Sequence, residues 1–270
     1  MKFYSAILII FITQHFFCQA QSFPSARTVA LNGSDVAFSD SSSINLNIAN
    51  TDFCKSTILE FCHLQNYFVR SLAESCIHFQ KTFSSNQIFQ LSCSYSGDKQ
   101  YNSQMYQMGY GIKLTPIFNA GLQIIIERNN FSEIKYNDYS VIYPNISFFL
   151  KATKKINLGA IITNPQRLKI NKTSNLPSQI EFSLGLIANP STKFGFTIKQ
   201  LNSSKALTTF AIEYKIISNC FLRAAYETQL NKVCSGFRII YSNILFDFAF
   251  TNQLNTGSNS SLSVIIPLKK

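Results

Sequence analysis

Charged side chains are scarce in this sequence. Only 14% of its 270 residues are Asp, Glu, Lys or Arg, whereas about 25% is usual in soluble domains. This shortage argues against a protein whose whole surface faces water. Basic residues outnumber acidic ones and give a formal net charge of +11. They are spread along the chain instead of forming a cluster, so the sequence predicts no nucleic-acid partner.

Long apolar runs are absent beyond the N-terminus. There, Lys2 precedes an apolar run from Phe3 to Cys18 and a small-residue site at Cys18-Gln19-Ala20, which predicts a signal peptide over residues 1–20. A lipoprotein attached through Cys18 and an uncleaved anchor remain alternatives. No later segment has the roughly 20 apolar residues that a spanning helix needs. A mature chain that lies in a membrane must therefore span it as a closed barrel.

The sequence also has no recognisable catalytic or metal-binding motif. Beyond the leader only His63 and His78 remain, neither has a second ligand at metal-binding spacing, and no CxxC occurs. No Ser–His–Asp arrangement is evident, which disfavours a membrane-embedded hydrolase. Six cysteines follow the leader. Three disulfides are one interpretation, but most lie in strand-like runs and we interpret them as small apolar fillers. The sequence predicts no enzyme, no metal and no cofactor.

Strict alternation of apolar and polar residues is what the sequence does contain. In one run Ile180, Phe182 and Leu184 alternate with polar neighbours, and the segment after the turn at 188–192 repeats the pattern. Such alternation is typical of β-strands with two different faces. It predicts fourteen strands over residues 57–67, 73–83, 87–95, 104–114, 118–128, 141–151, 155–163, 178–187, 193–200, 207–216, 219–227, 232–240, 243–251 and 261–268.

The connections between these runs alternate in length. Short turns at 114–118, 152–155, 188–192, 217–219 and 241–243 are separated by longer polar segments, with a short exception at 228–231. A transmembrane barrel with short periplasmic turns and longer outer loops has this pattern. The outer loops are predicted at 96–103, 129–140, 164–178, 201–206 and 252–261.

Charges occupy the face opposite the apolar one. A soluble barrel with a greasy lumen would close with about eight strands, and fourteen strands enclose too wide a lumen for Phe and Ile to fill. The fold class predicted is therefore all-β, a transmembrane antiparallel β-barrel of about fourteen strands whose apolar face contacts outer-membrane lipid. Six tyrosines near strand ends are candidates for an aromatic girdle at the membrane interface: Tyr95, Tyr101, Tyr106, Tyr143, Tyr226 and Tyr241. The predicted lumen-facing charges are Lys113, Glu127, Glu181, Lys193, Lys199, Glu213, Lys215, Arg223, Glu227, Arg238 and Asp247.

The segment before the strands carries a family motif. SARTVALNGSDVAFSD resembles the opening of outer-membrane barrels related to the long-chain fatty-acid transporter (FadL-like), in particular the PorV/PorQ branch linked to type IX secretion. The family's N-P-A-G reads Asn47-Ile48-Ala49-Asn50 here. The resemblance implies an N-terminal plug segment over residues 21–56 and an outer-membrane barrel over 57–270. The plug residues predicted from the motif and its neighbourhood are Ser25, Ala26, Arg27, Ala30, Leu31, Gly33, Asp35 and Asp40.

Two functions are compatible with this resemblance. The first is an accessory or scaffold barrel in the outer membrane of a Gram-negative bacterium, with secretion-system proteins as partners. The alternative is a FadL-like transporter whose ligand is a small hydrophobic molecule. Such a transporter needs an apolar pocket and a bent strand, and Gly109 and Gly111 are the candidate bend. A simpler interpretation is that these glycines make room for the plug.

Overall fold

The computed structural model describes residues 25–38, 46–50, 57–84, 86–133, 138–168, 176–202, 204–254 and 256–268. The predicted signal peptide, Asp40 and Cys54 lie outside these ranges.

Fourteen antiparallel strands form one closed barrel, in which each strand pairs with its neighbours along the chain and β1 pairs with β14. The predicted strand number and barrel class are therefore confirmed. A six-residue helix α1 (Ala26–Leu31) and a one-turn 3₁₀ helix (Ser34–Ala37) precede the strands, and a second 3₁₀ turn (Arg70–Leu72) follows β1. The strands are β1 (Thr57–Asn66), β2 (Ala73–Ser84), β3 (Gln87–Gly97), β4 (Tyr101–Lys113), β5 (Phe118–Phe131), β6 (Tyr139–Lys151), β7 (Ile156–Thr163), β8 (Gln179–Asn189), β9 (Thr192–Leu201), β10 (Leu207–Ile217), β11 (Cys220–Glu227), β12 (Lys232–Tyr241), β13 (Ile244–Gln253) and β14 (Gly257–Leu268).

The two faces of the barrel wall have opposite chemistry. Side chains alternate between faces along a strand, and in β8 the apolar Phe182 is 58% exposed while its neighbours Glu181 and Ser183 are buried. Phe210 and Ile142 on other strands are exposed in the same way. Large apolar side chains thus cover the outside and polar ones line the inside, which is the arrangement of membrane-spanning barrels. Among the described residues, no helix is long and apolar enough to cross a bilayer.

Three of the predicted outer loops are shorter in the structure, and the loop at 98–100 is even shorter than the neighbouring turn at 114–117, so the alternation of connection lengths fails at that point. The structure reduces the loop at 96–103 to 98–100, the loop at 129–140 to 132–138, and the loop at 252–261 to 254–256. The predicted bounds followed polar composition, whereas strand pairing continues through these polar residues. Asn130, for example, is paired with Asn102, and its Nδ2 donates to the Asn102 Oδ1 at 2.8 Å.

Two predicted girdle residues, Tyr101 and Tyr143, have the inward phase of their strands. Tyr143 is only 3% exposed, and its hydroxyl group points inward to Glu127 Oε2 at 3.5 Å. It shares the inward face of β6 with Asn145 and Ser147. Tyr101 is exposed at the end of β4, but its hydroxyl donates to the buried Asn129 Oδ1 at 2.7 Å. The other four tyrosines are exposed on the outward face. Aromatic type alone therefore did not identify the outward face, because the phase of the strand decides it.

Candidate functional site in the barrel lumen

Helix α1 lies inside the barrel, against the inward face of β11–β14. Ser25 precedes it and donates its hydroxyl hydrogen bond to Glu60 Oε1 at 2.8 Å, and the backbone N–H of Ala26 donates to Ser263 Oγ at 2.8 Å. Ala26, Ala30 and Leu31 are fully buried. Because one of its free N–H groups, that of Ala26, finds a partner on the wall, so short a helix is anchored there. We call residues 25–38 and 46–50 the lumenal segment.

Residues 46–50 of the lumenal segment are hydrogen-bonded to its first part and to the wall. Asn47 Nδ2 donates to the Val36 carbonyl at 3.1 Å and to the Phe148 carbonyl of β6 at 2.9 Å. Asn50 Nδ2 donates to the Phe38 carbonyl at 2.7 Å. Asn47 and Asn50 thus join residues 46–50 to residues 36–38 and to β6.

Six inward glycines make room for the lumenal segment. A Cβ atom built on Gly185 would lie 2.6 Å from the Ala37 carbonyl oxygen, and one built on Gly159 would lie 2.7 Å from that of Val36. Neither distance is possible for real atoms, so only glycine permits this close approach. The same holds, to different degrees, at the other glycines that face the segment. The six are Gly109, Gly121, Gly159, Gly185, Gly195 and Gly236.

A network of ion pairs joins the lumenal segment to the wall. Arg27 is fully buried, and its Nη2 lies 3.3 Å from Glu213 Oε2. Glu213 also meets Lys193 Nζ at 3.1 Å and Arg223 Nε at 2.8 Å. Arg223 bridges onward to Asp247 at 2.7 Å, and Arg238 meets the same carboxylate at 2.6 Å. Glu213 therefore pairs with three cations. One is Arg27, the only cation among the described residues of the lumenal segment, and the other two are Lys193 and Arg223 on the wall.

Asp35 lies beside this network within the lumenal segment. Its Oδ2 accepts a hydrogen bond from Thr28 Oγ1 at 2.9 Å. Burial raises the pKa of Asp35 above its ordinary value, although Arg27 and the Thr28 hydrogen bond favour the charged form.

The loop that follows α1 is fixed by Asn32. This residue adopts the left-handed conformation with φ 47°. Its Nδ2 donates to Thr209 Oγ1 at 2.9 Å and to Glu227 Oε2 at 2.7 Å, and its Oδ1 accepts from Lys232 Nζ at 2.9 Å. Asparagine tolerates this backbone conformation and also bonds the wall.

The other predicted lumen residues point inward as well. Glu181, Lys199 and Glu227 line a cavity, whereas Lys113, Glu127 and Lys215 are half-buried nearer the strand ends. At Gly109 and Gly111, β4 pairs continuously with both β3 and β5. The pairing has no register shift at the predicted bend.

A cavity of about 270 Å³ lies between α1 and the loop end of the barrel. Ser25, Thr28 and Val29 form part of its floor. The wall contributes residues near the loop ends of the strands, both polar, such as Gln179 and Thr251, and apolar, such as Leu64, Ile161 and Leu207. The cavity can therefore hold a small molecule against both kinds of surface.

Several inward residues on β1 and β2 escaped prediction. Cys62, Cys76 and His78 are buried side by side, with their ligand atoms all within 4.8 Å of one another. Neither histidine has a second ligand at metal-binding spacing in the sequence, but the structure places two cysteines beside His78. Sequence spacing failed because the cysteines lie on two strands and meet only through pairing. Extending the period of two through β1 and β2 would have placed Glu60, Glu74 and these three residues inside.

Solved barrels share this architecture. The P. putida toluene transporter TodX superposes with a TM-score of 0.64 at 10% identity, covering 93% of this chain and 100% of TodX. This chain has the FadL-type barrel fold. The monoaromatic hydrocarbon channel CymD gives a TM-score of 0.62 at 9% identity, covering 93% and 95% of the two chains. A Pseudomonas aeruginosa FadL homologue gives 0.58 at 10% identity, covering 83% and 93%.

At such identities the likeness concerns the FadL-type fold alone. No family model matches the sequence. No curated protein matches it either.

The ion-pair network gives a direct test of what holds the lumenal segment. Glu213→Gln is expected to destabilise the folded state by about 3–5 kcal/mol, because it leaves three buried or half-buried cations without their shared carboxylate. Trypsin cleavage after Arg27 should accelerate, since the segment loses its anchor. Urea unfolding and mapped proteolysis in detergent measure the two effects.

A matched control separates anchoring from loss of charge. Lys199→Gln removes a cavity-lining charge outside the network and should leave cleavage at Arg27 unchanged. Arg27→Gln combined with Glu213→Gln should be less destabilised than the sum of the two single variants, because the buried pair is removed together. Equal cleavage rates in Glu213→Gln and wild type would show that Glu213 does not hold the segment.

Proposed function

We propose that this protein is an outer-membrane transporter of small hydrophobic molecules, in which the lumenal segment acts as a plug. Three features support the proposal. The outward face is apolar, as contact with lipid requires. The lumen is occupied by a segment that fits glycines and ion pairs on the wall. The barrels that it resembles include a toluene transporter and a monoaromatic hydrocarbon channel.

The placement of the cavity carries the proposal. It lies in the lumen on the side of the longer loops, and residues of the lumenal segment, among them Thr28 and Val29, form its floor. At about 270 Å³ it exceeds the roughly 150 Å³ in which an apolar cavity binds benzene. A molecule with one ring fits this volume. The apolar part of the lining suits an unsubstituted ring such as that of toluene, and the polar part also accommodates a ring that carries a polar group.

An uptake assay with two matched variants tests the transporter. Intact cells that express the full chain should take up radiolabelled toluene faster than cells without it. Thr197→Phe adds a ring at a cavity-lining position and should reduce uptake to the background rate. Ile198→Phe adds a ring on the outward face of the same strand and should leave uptake unchanged. Background uptake by wild-type protein folded in the membrane would reject the proposal.

A second candidate is the accessory barrel of PorV/PorQ type, in which secretion-system proteins dock on the loops. One observation favours it. Phe68 is 60% exposed and Leu254 is 76% exposed on adjacent outer loops, close to the exposed Tyr67, Val69 and Leu72. Tyr67 and Phe68 both have positive φ, 52° and 55°. A non-glycine residue in this conformation costs about 1–3 kcal/mol of backbone strain, and such strain clusters at binding sites.

We call the exposed residues Tyr67, Phe68, Val69, Leu72 and Leu254 the apolar rim. Docking of a partner on this rim predicts a different experimental result from transport. Secretion-system components should co-purify with wild type from detergent extracts and should be lost from Phe68→Ser combined with Leu254→Ser. Toluene uptake should not respond to that double variant. If the double variant retains the same partners as wild type, the rim is not their docking surface.

A further inference from the structure

The buried cluster on the inner face of β1 and β2 has the composition of a metal site. Cys62 and Cys76 are register partners on neighbouring strands, and Glu60 and His78 form the next inward pair. Facing pairs on antiparallel strands bring their Cβ atoms within about 4.5–5.5 Å. The two thiols and a ring nitrogen of His78 consequently lie within 4.8 Å of one another. We propose that this cluster binds one thiophilic metal ion, Zn²⁺ or Cu⁺.

The donor set suits such an ion. Two thiolates and an imidazole are the ligands that Zn²⁺ takes in tetrahedral sites and that soft Cu⁺ also accepts. With Zn²⁺ the two thiolates balance the ion's charge, which matters because all three side chains are buried. Met105 belongs to the same packed cluster as the two cysteines and places a thioether nearby.

Carboxylate oxygens beside the cluster independently point to a cation. Glu60 Oε2 and Glu74 Oε1 are buried and have no hydrogen-bond partner among the described residues. Glu60 is paired with His78, and Glu74 lies two residues before Cys76 on the same inward face. Buried carboxylate oxygens are normally satisfied. A cation bound at the thiols would offset the charge of these two neighbouring carboxylates.

The histidine is already oriented by a neighbour. Ser92 on β3 is the register partner of His78, and its Oγ lies 2.8 Å from His78 Nδ1. Ligating histidines characteristically have such an outer-shell partner, which sets the ring orientation.

Ions have a route to the cluster. Glu74 and His78 line the cavity that lies toward the loop end of the barrel. Binding displaces the protons of the two thiols, which leave through the same cavity. Glu60, the register partner of His78, accepts the hydrogen bond of Ser25, so the lumenal segment is anchored directly beside the proposed metal site.

Cobalt substitution provides the first test. The full chain, folded in detergent, reduced and stripped of metal, should bind one Co²⁺ with thiolate-to-metal charge-transfer bands and the visible bands of tetrahedral Co²⁺. Stoichiometric Zn²⁺ should abolish these bands by displacing the cobalt. Titration with Cu⁺ against a chromophoric chelator forms the second arm, and the tighter of the two ions identifies the metal. Absence of thiolate bands with Co²⁺ and of Cu⁺ binding would overturn the proposal.

Variants then assign the ligands. Cys62→Ser, Cys76→Ser and His78→Gln should each weaken binding by more than the about 10–100-fold expected for an outer-shell change such as Ser92→Ala. Cys93→Ser and Cys220→Ser are matched controls, because these thiols lie on the outward face. Equal affinity in all five cysteine and histidine variants would reject the site.

A measurement on unmodified protein covers the case in which a ligand variant does not fold. Zn²⁺ should protect Cys62 and Cys76 from alkylation, as mapped by mass spectrometry, while Cys93 continues to react. Failure of Zn²⁺ and Cu⁺ to protect these two thiols would contradict the proposal. A disulfide bond between Cys62 and Cys76 in protein isolated from cell envelopes under alkylating conditions would also contradict the proposal, because the two sulfur atoms would then be bonded to each other and not to a metal ion.

Discussion

Removal of residues 22–50 is expected to convert a closed barrel into an open pore. An unplugged barrel of fourteen strands encloses a wide aqueous lumen, and the lumenal segment packs against six wall glycines and Glu213 in that space. The barrel itself begins at Thr57, so its strand pairing does not depend on the deleted part. Single-channel conductance in planar bilayers should rise from near zero to open-pore levels.

A wall variant tests the same idea without a deletion. Gly159→Leu combined with Gly185→Leu places side chains where the backbone of Val36 and Ala37 lies, so the segment should be displaced and conductance should rise. Leu158→Phe combined with Leu184→Phe changes bulk on the outward face of the same strands and should not affect conductance. If the deletion yields a folded barrel with unchanged conductance, the wall side chains close the lumen and the plug hypothesis is wrong.

Phe196→Arg is expected to impair folding into membranes severely. Phe196 shares the outward face of β9 with Phe194 and Ile198, and its ring lies 5.2 Å from that of Phe210. Arginine on the lipid face at mid-bilayer costs roughly 2–4 kcal/mol in a membrane barrel. Folding yield into vesicles and the urea midpoint should both fall.

The adjacent position provides the control. Thr197 faces the lumen, borders the cavity and exchanges a 2.7 Å hydrogen bond with Ser183. Thr197→Arg can reach the cavity, so its effect should be limited to about the 0.5–1.5 kcal/mol of a lost hydrogen bond. Phe196→Leu keeps the outward face apolar and should fold. Equal loss in Phe196→Arg and Thr197→Arg would mean that the assignment of faces is wrong.

Local pattern was enough to predict the strands and their faces. Alternation has a period of two because of strand geometry, so Phe182 and Glu181 could be assigned to opposite faces from sequence alone. The alternation of turn and loop lengths was equally local. Loop bounds were less accurate, since polar residues such as Asn102 and Asn130 continue the pairing beyond the apolar band.

The candidate site was predicted only in part. The motif placed Arg27 in the N-terminal segment, and periodicity placed Glu213 on the polar face. Their contact joins residues 186 positions apart. Periodicity states which face a residue occupies but not which residue it meets.

Sequence by itself determined that this chain forms a β-barrel of about fourteen strands with an apolar outside, because these properties follow from the backbone repeat. Tertiary structure decided which inward residues meet. Strand register placed Cys62 opposite Cys76 beside His78. Pairing among β10–β13 brought Glu213, Arg223 and Asp247 into one network, which Arg27 joins through Glu213, and the close fit of the lumenal segment explains six glycines. A shift of one residue in pairing would reverse every face, and the short-range pattern contains no information on partners across the lumen.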